Sequence, residues 1–235
     1  MESKNDAQPA KELMLYHEVL LLSFDDKTGR PENNLYPLAI SAGVLGELVL
    51  ADRIRIAPNG DCLVHSIDSS PTGHAILDKC LKVISASDEP KPMIQWLTYE
   101  IDAQNLVRLV ANELCDMGIL EKKDAYVMWT FPIDTYPEAD PKSERSIKSR
   151  LNSFLFEGDT EADERTAVLA CLANAGNLLE PNFGVLKVAK TQERINKLLS
   201  TNEFGNRVED MMAALKRRQD ALIQQTLNLA TLYAY

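Results

Sequence analysis

Histidine, cysteine and acidic side chains do most protein chemistry, and this 235-residue chain sets few of them at catalytic or metal-binding spacing. Its three histidines are His17, His65 and His74. Cys62 and His65 stand at a spacing that can seed a metal site, but such a site normally takes four ligands and no second Cys/His pair lies nearby. On a strand, residues three apart also point to opposite faces, so His65 is expected on a hairpin surface. His17 is expected at the polar edge of a first helix, and His74 exposed just after a Thr72 cap. Asp25 and Asp26 form a carboxylate pair, yet DDKTG has the composition of a turn before Gly29. Glu47 interrupts an otherwise apolar segment, where a buried carboxylate has a raised pKa and can be functional. The plainer expectation is a helix-end glutamate that pairs with Arg53 or reaches solvent. There is no phosphate-cradling glycine loop, no GxSxG and no HExxH. The expectation is therefore no catalytic residue, no metal and no cofactor.

The elements that must position these residues are mostly helical. LMLYHEVLLLSF (13–24) is dense in leucine, and residues 35–50 carry no charge before Glu47, which predicts a helix buried on nearly all sides. RIRIAPNGDCLVHS (53–66) alternates around Asn59-Gly60 and predicts a hairpin. Helical spacing follows at 72–84, 92–99 and 103–117, the last stopped by Gly118. A second hairpin is expected within 119–134, with Lys-Lys-Asp at its turn. Its stretch AYVMWTFPID carries Trp129 among apolar neighbours, and Pro132 bars a helix. That stretch can pack inside the fold, pair with another subunit or enter a membrane. Helices are then expected at 142–156, 162–179, 192–199 and 208–233. The run Lys142, Arg145, Lys148 and Arg150 is expected as a solvated basic face, neutralised locally by Glu144. The fold class is mainly α: a single helical domain with two exposed β-hairpins.

With 45% hydrophobic and 26% charged residues, the composition is that of an ordinary globular protein. A net charge of −10 argues against non-specific binding to nucleic acid and to anionic membranes. The four cysteines form no CxxC pair and are expected as buried thiols in a reducing compartment. The longest apolar stretch, 35–51, holds a proline, two glycines and Glu47, so any membrane contact is expected to be peripheral.

Several segments in order, LYHEVLLLSFDDKTGR, GELVLADRIRI and SPTGHAILDKCLKVI, resemble the Golgi phosphoprotein 3 family. The similarity continues through Trp96, LVANELCDMGIL, SIKSRL and DERTAVLACLANAGNLLEPNF. It covers residues 13–235, behind a flexible tail of residues 1–12. The resemblance implies a non-enzymatic peripheral membrane adaptor, cytoplasmic and on the cytosolic face of a membrane. Such a protein binds anionic phospholipid, phosphatidylinositol 4-phosphate in the family, and holds cytosolic tails of membrane proteins. The alternative is a soluble homo-oligomeric scaffold without lipid binding. The family's loop tryptophan falls within 33–36, with Tyr36 the nearest aromatic, and its second-helix arginine falls on Ser41. Two basic positions fall on Gln104 and Val107, with Arg108 next door. The implied headgroup residues are thus Tyr36, Ser41, Gln104 and Arg108. A phosphomonoester wants converging Arg or Lys donors, and one arginine is a thin substitute. The family's hydrophobic hairpin corresponds to 125–135. Lys122, Lys123, Met128, Trp129 and Phe131 are therefore expected to insert into a membrane or to join subunits.

Overall fold

The computed structural model describes residues 12–57, 62–127, 131–157, 163–200 and 217. Helix α1 (Leu15–Ser23) is buried along its whole length, and α2 (Tyr36–Leu50) is buried from Ala39 to Val49. A mostly apolar helix is stable inside a core, and these two lie against each other at its centre. Gly43 makes the approach possible: a Cβ there would meet the Tyr16 Cα at 3.0 Å.

After α2, β1 (Ile54–Ile56) and β2 (Leu63–Ser66) pair antiparallel, with Ile54 opposite Ser66. The hairpin predicted around Asn59-Gly60 is present, and its turn lies outside the described residues. Ile54, Ile56 and Val64 face the core while Arg55 faces out. A short β3 (Lys91–Pro92) adds to β2 and makes a three-stranded sheet.

Between them, α3 (Ala75–Ser85) buries one face through Ile76, Leu77, Cys80, Leu81 and Ile84. Its start differs from the Thr72 cap expected from sequence. Thr72 gives its N–H and hydroxyl to Asp78, at 2.6 and 2.7 Å, and Gly73 has a φ of +85° that no helical residue adopts. A short α4 (Met93–Gln95) widens into a π-turn, Trp96–Glu100, that buries Trp96. Helix α5 (Ala103–Asp116) is capped by the Asp102 carboxylate on the Asn105 N–H and ends at Gly118, where φ is +75°.

The second hairpin joins β4 (Lys123–Val127) to β5 (Phe131–Thr135), with Lys123 opposite Thr135 and Val127 opposite Phe131. Lys122, Lys123 and Asp124 thus stand at the root of the hairpin, not at its turn as expected. Pro132 is tolerated because both strands are edge strands.

Helix α6 (Lys142–Asn152) continues as a π-turn, Ser153–Glu157. Helix α7 (Glu164–Ala175) is capped by Asp163, which accepts the Thr166 N–H at 2.7 Å. A short α8 (Leu179–Phe183) leads to α9 (Val185–Ser200), which begins seven residues before the helix expected at 192. The helix predicted over 208–233 lies outside the described residues except for residue 217. Helices α5 and α7 both pack on α1 and α2, and α6 packs on α1. All four cysteines are free thiols, three of them buried. Among the described residues, no helix is long and apolar enough to cross a membrane.

Candidate functional site: the hairpin root and the α5 surface

Two surfaces carry the residues singled out from sequence. On α5, Gln104 and Arg108 are both exposed. They are one turn apart and share a face. The Arg108 guanidinium donates to Asn105 Oδ1 at 2.8 Å, which keeps it along the helix. Ser41 does not join them: it is fully buried, and its hydroxyl donates to the Pro37 carbonyl at 2.9 Å. Tyr36, at the first turn of α2, is half-buried edge-on to Phe24, with ring centroids 5.4 Å apart. Phe24 in turn lies 6.3 Å from the Tyr136 ring. Tyr36 therefore belongs to an aromatic group beside the exit of the second hairpin. A small cleft of about 140 Å³ opens between α3 and α5, lined by Cys80, Val83, Ile101 and Leu106 among others. Neither Gln104 nor Arg108 lines it.

The hairpin root is built mainly by main chain. Glu121 N–H donates to the Pro137 carbonyl at 3.0 Å, and Ala139 N–H to that of Ile119 at 2.8 Å. The α1–α2 loop grips the same segment from the other side. Tyr136 N–H donates to Gly29 O at 3.1 Å and Glu138 N–H to Asp26 O at 3.0 Å. Asp25 holds this loop by accepting the Thr28 N–H at 2.7 Å, so it serves the turn. Gly29 is required twice over: its φ is +61°, and a Cβ would sit 2.2 Å from the Pro137 nitrogen.

Both root lysines are exposed and paired. Lys122 Nζ lies 2.8 Å from Asp134, and Lys123 Nζ 2.9 Å from Glu121. Their positive charge is largely answered within the hairpin. Met128 and Trp129 lie outside the described residues, and Phe131 is placed as the first residue of β5.

The acids behave differently from their expected roles. Glu47 does not pair with Arg53, which binds Asp68 at 3.1 Å. Its carboxylate is buried, accepts the Leu15 N–H, and meets Arg165 of α7 in a two-pronged contact of 2.5 and 3.1 Å. Burial pushes its carboxyl up, against the downward pull of the Leu15 N–H and then Arg165. Beside it, buried Glu18 accepts from Arg150 at 2.6 Å, and burial likewise raises its carboxyl. The basic face expected on α6 is therefore only partly solvated, since Arg150 reaches inward to Glu18 and Lys148 to Glu144. His17 is 2% exposed and sits inside the core, not at a polar edge. Its Nδ1 accepts the Met14 N–H at 3.1 Å, and its Nε2 faces Glu113 at 2.9 Å. His65 is half-exposed on β2, opposite Arg55. These partners lie up to 132 residues apart, so no local pattern announces them.

Comparison with known proteins matches the Golgi phosphoprotein 3 (GPP34) family over residues 15–215. The chain belongs to that family. It is similar to vacuolar protein sorting-associated protein 74 of Eremothecium gossypii, 28% identical over 80% of this chain and 66% of that protein. It is also similar to the protein of the same name from Schizosaccharomyces pombe, 28% identical over 85% of this chain and 69% of that protein. The chain thus spans about two thirds of the length of these relatives.

Proposed function

We propose that this chain is a non-enzymatic adaptor that works at the cytosolic face of a Golgi-type membrane and sorts the tails of membrane proteins. The observation that carries this reading is family membership over almost all of the chain. The names of the two relatives, which refer to protein sorting, support it. In this reading the β4–β5 hairpin, with Met128, Trp129 and Phe131, is the element that meets the lipid surface. Tryptophan suits a membrane interface, and lysines further along the hairpin suit the headgroup layer. Each lysine adds only about 1 kcal/mol near an anionic surface, and Lys122 and Lys123 already have acidic partners, so a single copy binds weakly. Gln104 and Arg108 supply an exposed polar patch with one cation, which suits a generic anionic headgroup better than a selective phosphoinositide site.

One observation favours a second reading, in which the hairpin joins subunits of a soluble homo-oligomer. The pairing of both root lysines, on a chain of net charge −10, removes much of the attraction to an anionic membrane. One experiment separates the two. Trp129 and Phe131 are replaced together by Asp, then liposome flotation and solution mass are measured. Lost flotation with unchanged mass supports the membrane role. A drop in mass with flotation unaltered supports the oligomer. If both quantities stay as in the native chain, neither role belongs to this hairpin.

A further inference from the structure

Three carboxylates from three separate segments meet behind the hairpin root. Asp26 comes from the α1–α2 loop, Glu138 from the strand exit and Glu144 from α6, and their oxygens lie within 4.8 Å of one another. Lys148, one turn along α6, places Nζ 2.5 Å from Glu144 Oε1 and 3.6 Å from Asp26 Oδ1. Glu144 is 3% exposed. Glu144 Oε1 and Glu138 Oε1 are both buried atoms without a well-directed hydrogen bond. The other charged groups facing the cluster are Arg145 of α6 and Asp140 of the root, both acting on Glu138. With all three acids ionised, Lys148 and the more distant Arg145 leave an excess of negative charge around the buried Glu144 carboxylate, which is costly.

We propose that Asp26, Glu138, Glu144 and Lys148 form a proton-operated latch, in which protonation of Glu144, set between Asp26 and Lys148, fastens the hairpin root and the α1–α2 loop to α6. Loss of the proton restores the excess negative charge and loosens the root. The main-chain bonds from Glu138 to Asp26 and from Tyr136 to Gly29 are the ones that open. Burial first, and Asp26 among the smaller causes, pushes the Glu144 carboxyl up to about 7, which sets the switch near neutrality. The sign follows: a raised carboxyl binds its proton more tightly in the latched state, so latching is favoured at low pH and lost as pH rises through 7. The latch is independent of whether the hairpin meets lipid or a second subunit.

Hydrogen exchange of residues 134–140 at pH 6 and pH 8, corrected for the intrinsic rate, tests this. A carboxyl near 4.5 when freed and about 7 when latched gives about a tenfold loss of protection between the two pH values. Glu144→Gln should abolish that dependence. Carbon-13 carboxyl titration of the native chain checks the switch without any substitution, and should show Glu144 titrating near 7. A Glu144 midpoint below 5, or the same pH dependence in Glu144→Gln as in the native chain, overturns the latch.

Discussion

Arg165→Met isolates the buried ion pair at the centre of the fold. The substitution keeps an unbranched side chain of similar length on α7 and removes only the guanidinium. Glu47, whose side chain is 6% exposed, is left with the Leu15 N–H as its partner. Removing one member of a buried pair costs about 3–5 kcal/mol, because the surviving charge is stranded. For a chain of this length that corresponds to a fall in Tm on the order of 10 °C. The loss should depend on pH in a defined direction. Burial already raises the Glu47 carboxyl and Arg165 lowers it, so the variant raises it further. A group with a raised folded midpoint contributes stability that is present at low pH and lost as pH rises through that midpoint. The deficit should therefore be larger at pH 8 than at pH 5, because any protonation of Glu47 on acidification removes the need for a counter-charge. Urea unfolding followed by circular dichroism at both values reads this out, and Glu47→Gln added to Arg165→Met should recover most of the loss. A deficit below about 1 kcal/mol at pH 8, or one that does not shrink on acidification, refutes the reasoning.

Two further outcomes are expected. Arg108→Glu should weaken flotation with anionic liposomes at low salt, since Arg108 is the exposed cation of the α5 surface; undiminished binding excludes that surface from lipid contact. Gly43→Ala should cost about 1–3 kcal/mol despite the better helix propensity of alanine, because the new methyl meets the Tyr16 backbone at 3.0 Å and 3.1 Å, where nothing can swing aside. Thermal unfolding measures it, and a variant as stable as the native chain would mean that α1 can shift away from α2.

Much of the fold was legible because α2 is apolar on nearly all sides and α3 and α5 are striped. Residues 35–50 predicted a buried helix, and α2 is one. Gly118 predicted the end of α5, where the backbone turns left-handed. The failures have particular causes. Helix α9 begins at Val185, but Val185 and Leu186 are 62% and 86% exposed, so they break the amphipathic pattern by which a helix is found. His17 was expected at a polar edge because its partner, the half-buried Glu113, is 96 residues away. Glu144 and Lys148 were visible as an i,i+4 pair, yet Asp26 and Glu138 reach them only through the fold. Of the implied headgroup residues, Gln104 and Arg108 share a surface, whereas a one-dimensional match had no means of telling that Ser41 points into the core.

The hairpin stands on a mount made of peptide groups. Glu121, Tyr136, Glu138 and Ala139 all donate main-chain bonds, and the loop that clasps them does so through carbonyls and a glycine with no side chain to lose. Such a joint depends on few of the hairpin's side chains, chiefly Asp134, which pairs with Lys122, and the buried Thr135. A strand pair of equal length that keeps Asp134 and Thr135 should therefore graft between Lys122 and Tyr136 without redesign of the body. The hairpin sequence can then change while the frame that presents it stays fixed, and Gly29, with a positive φ and no room for a Cβ, is the position of the α1–α2 loop that such changes must leave alone.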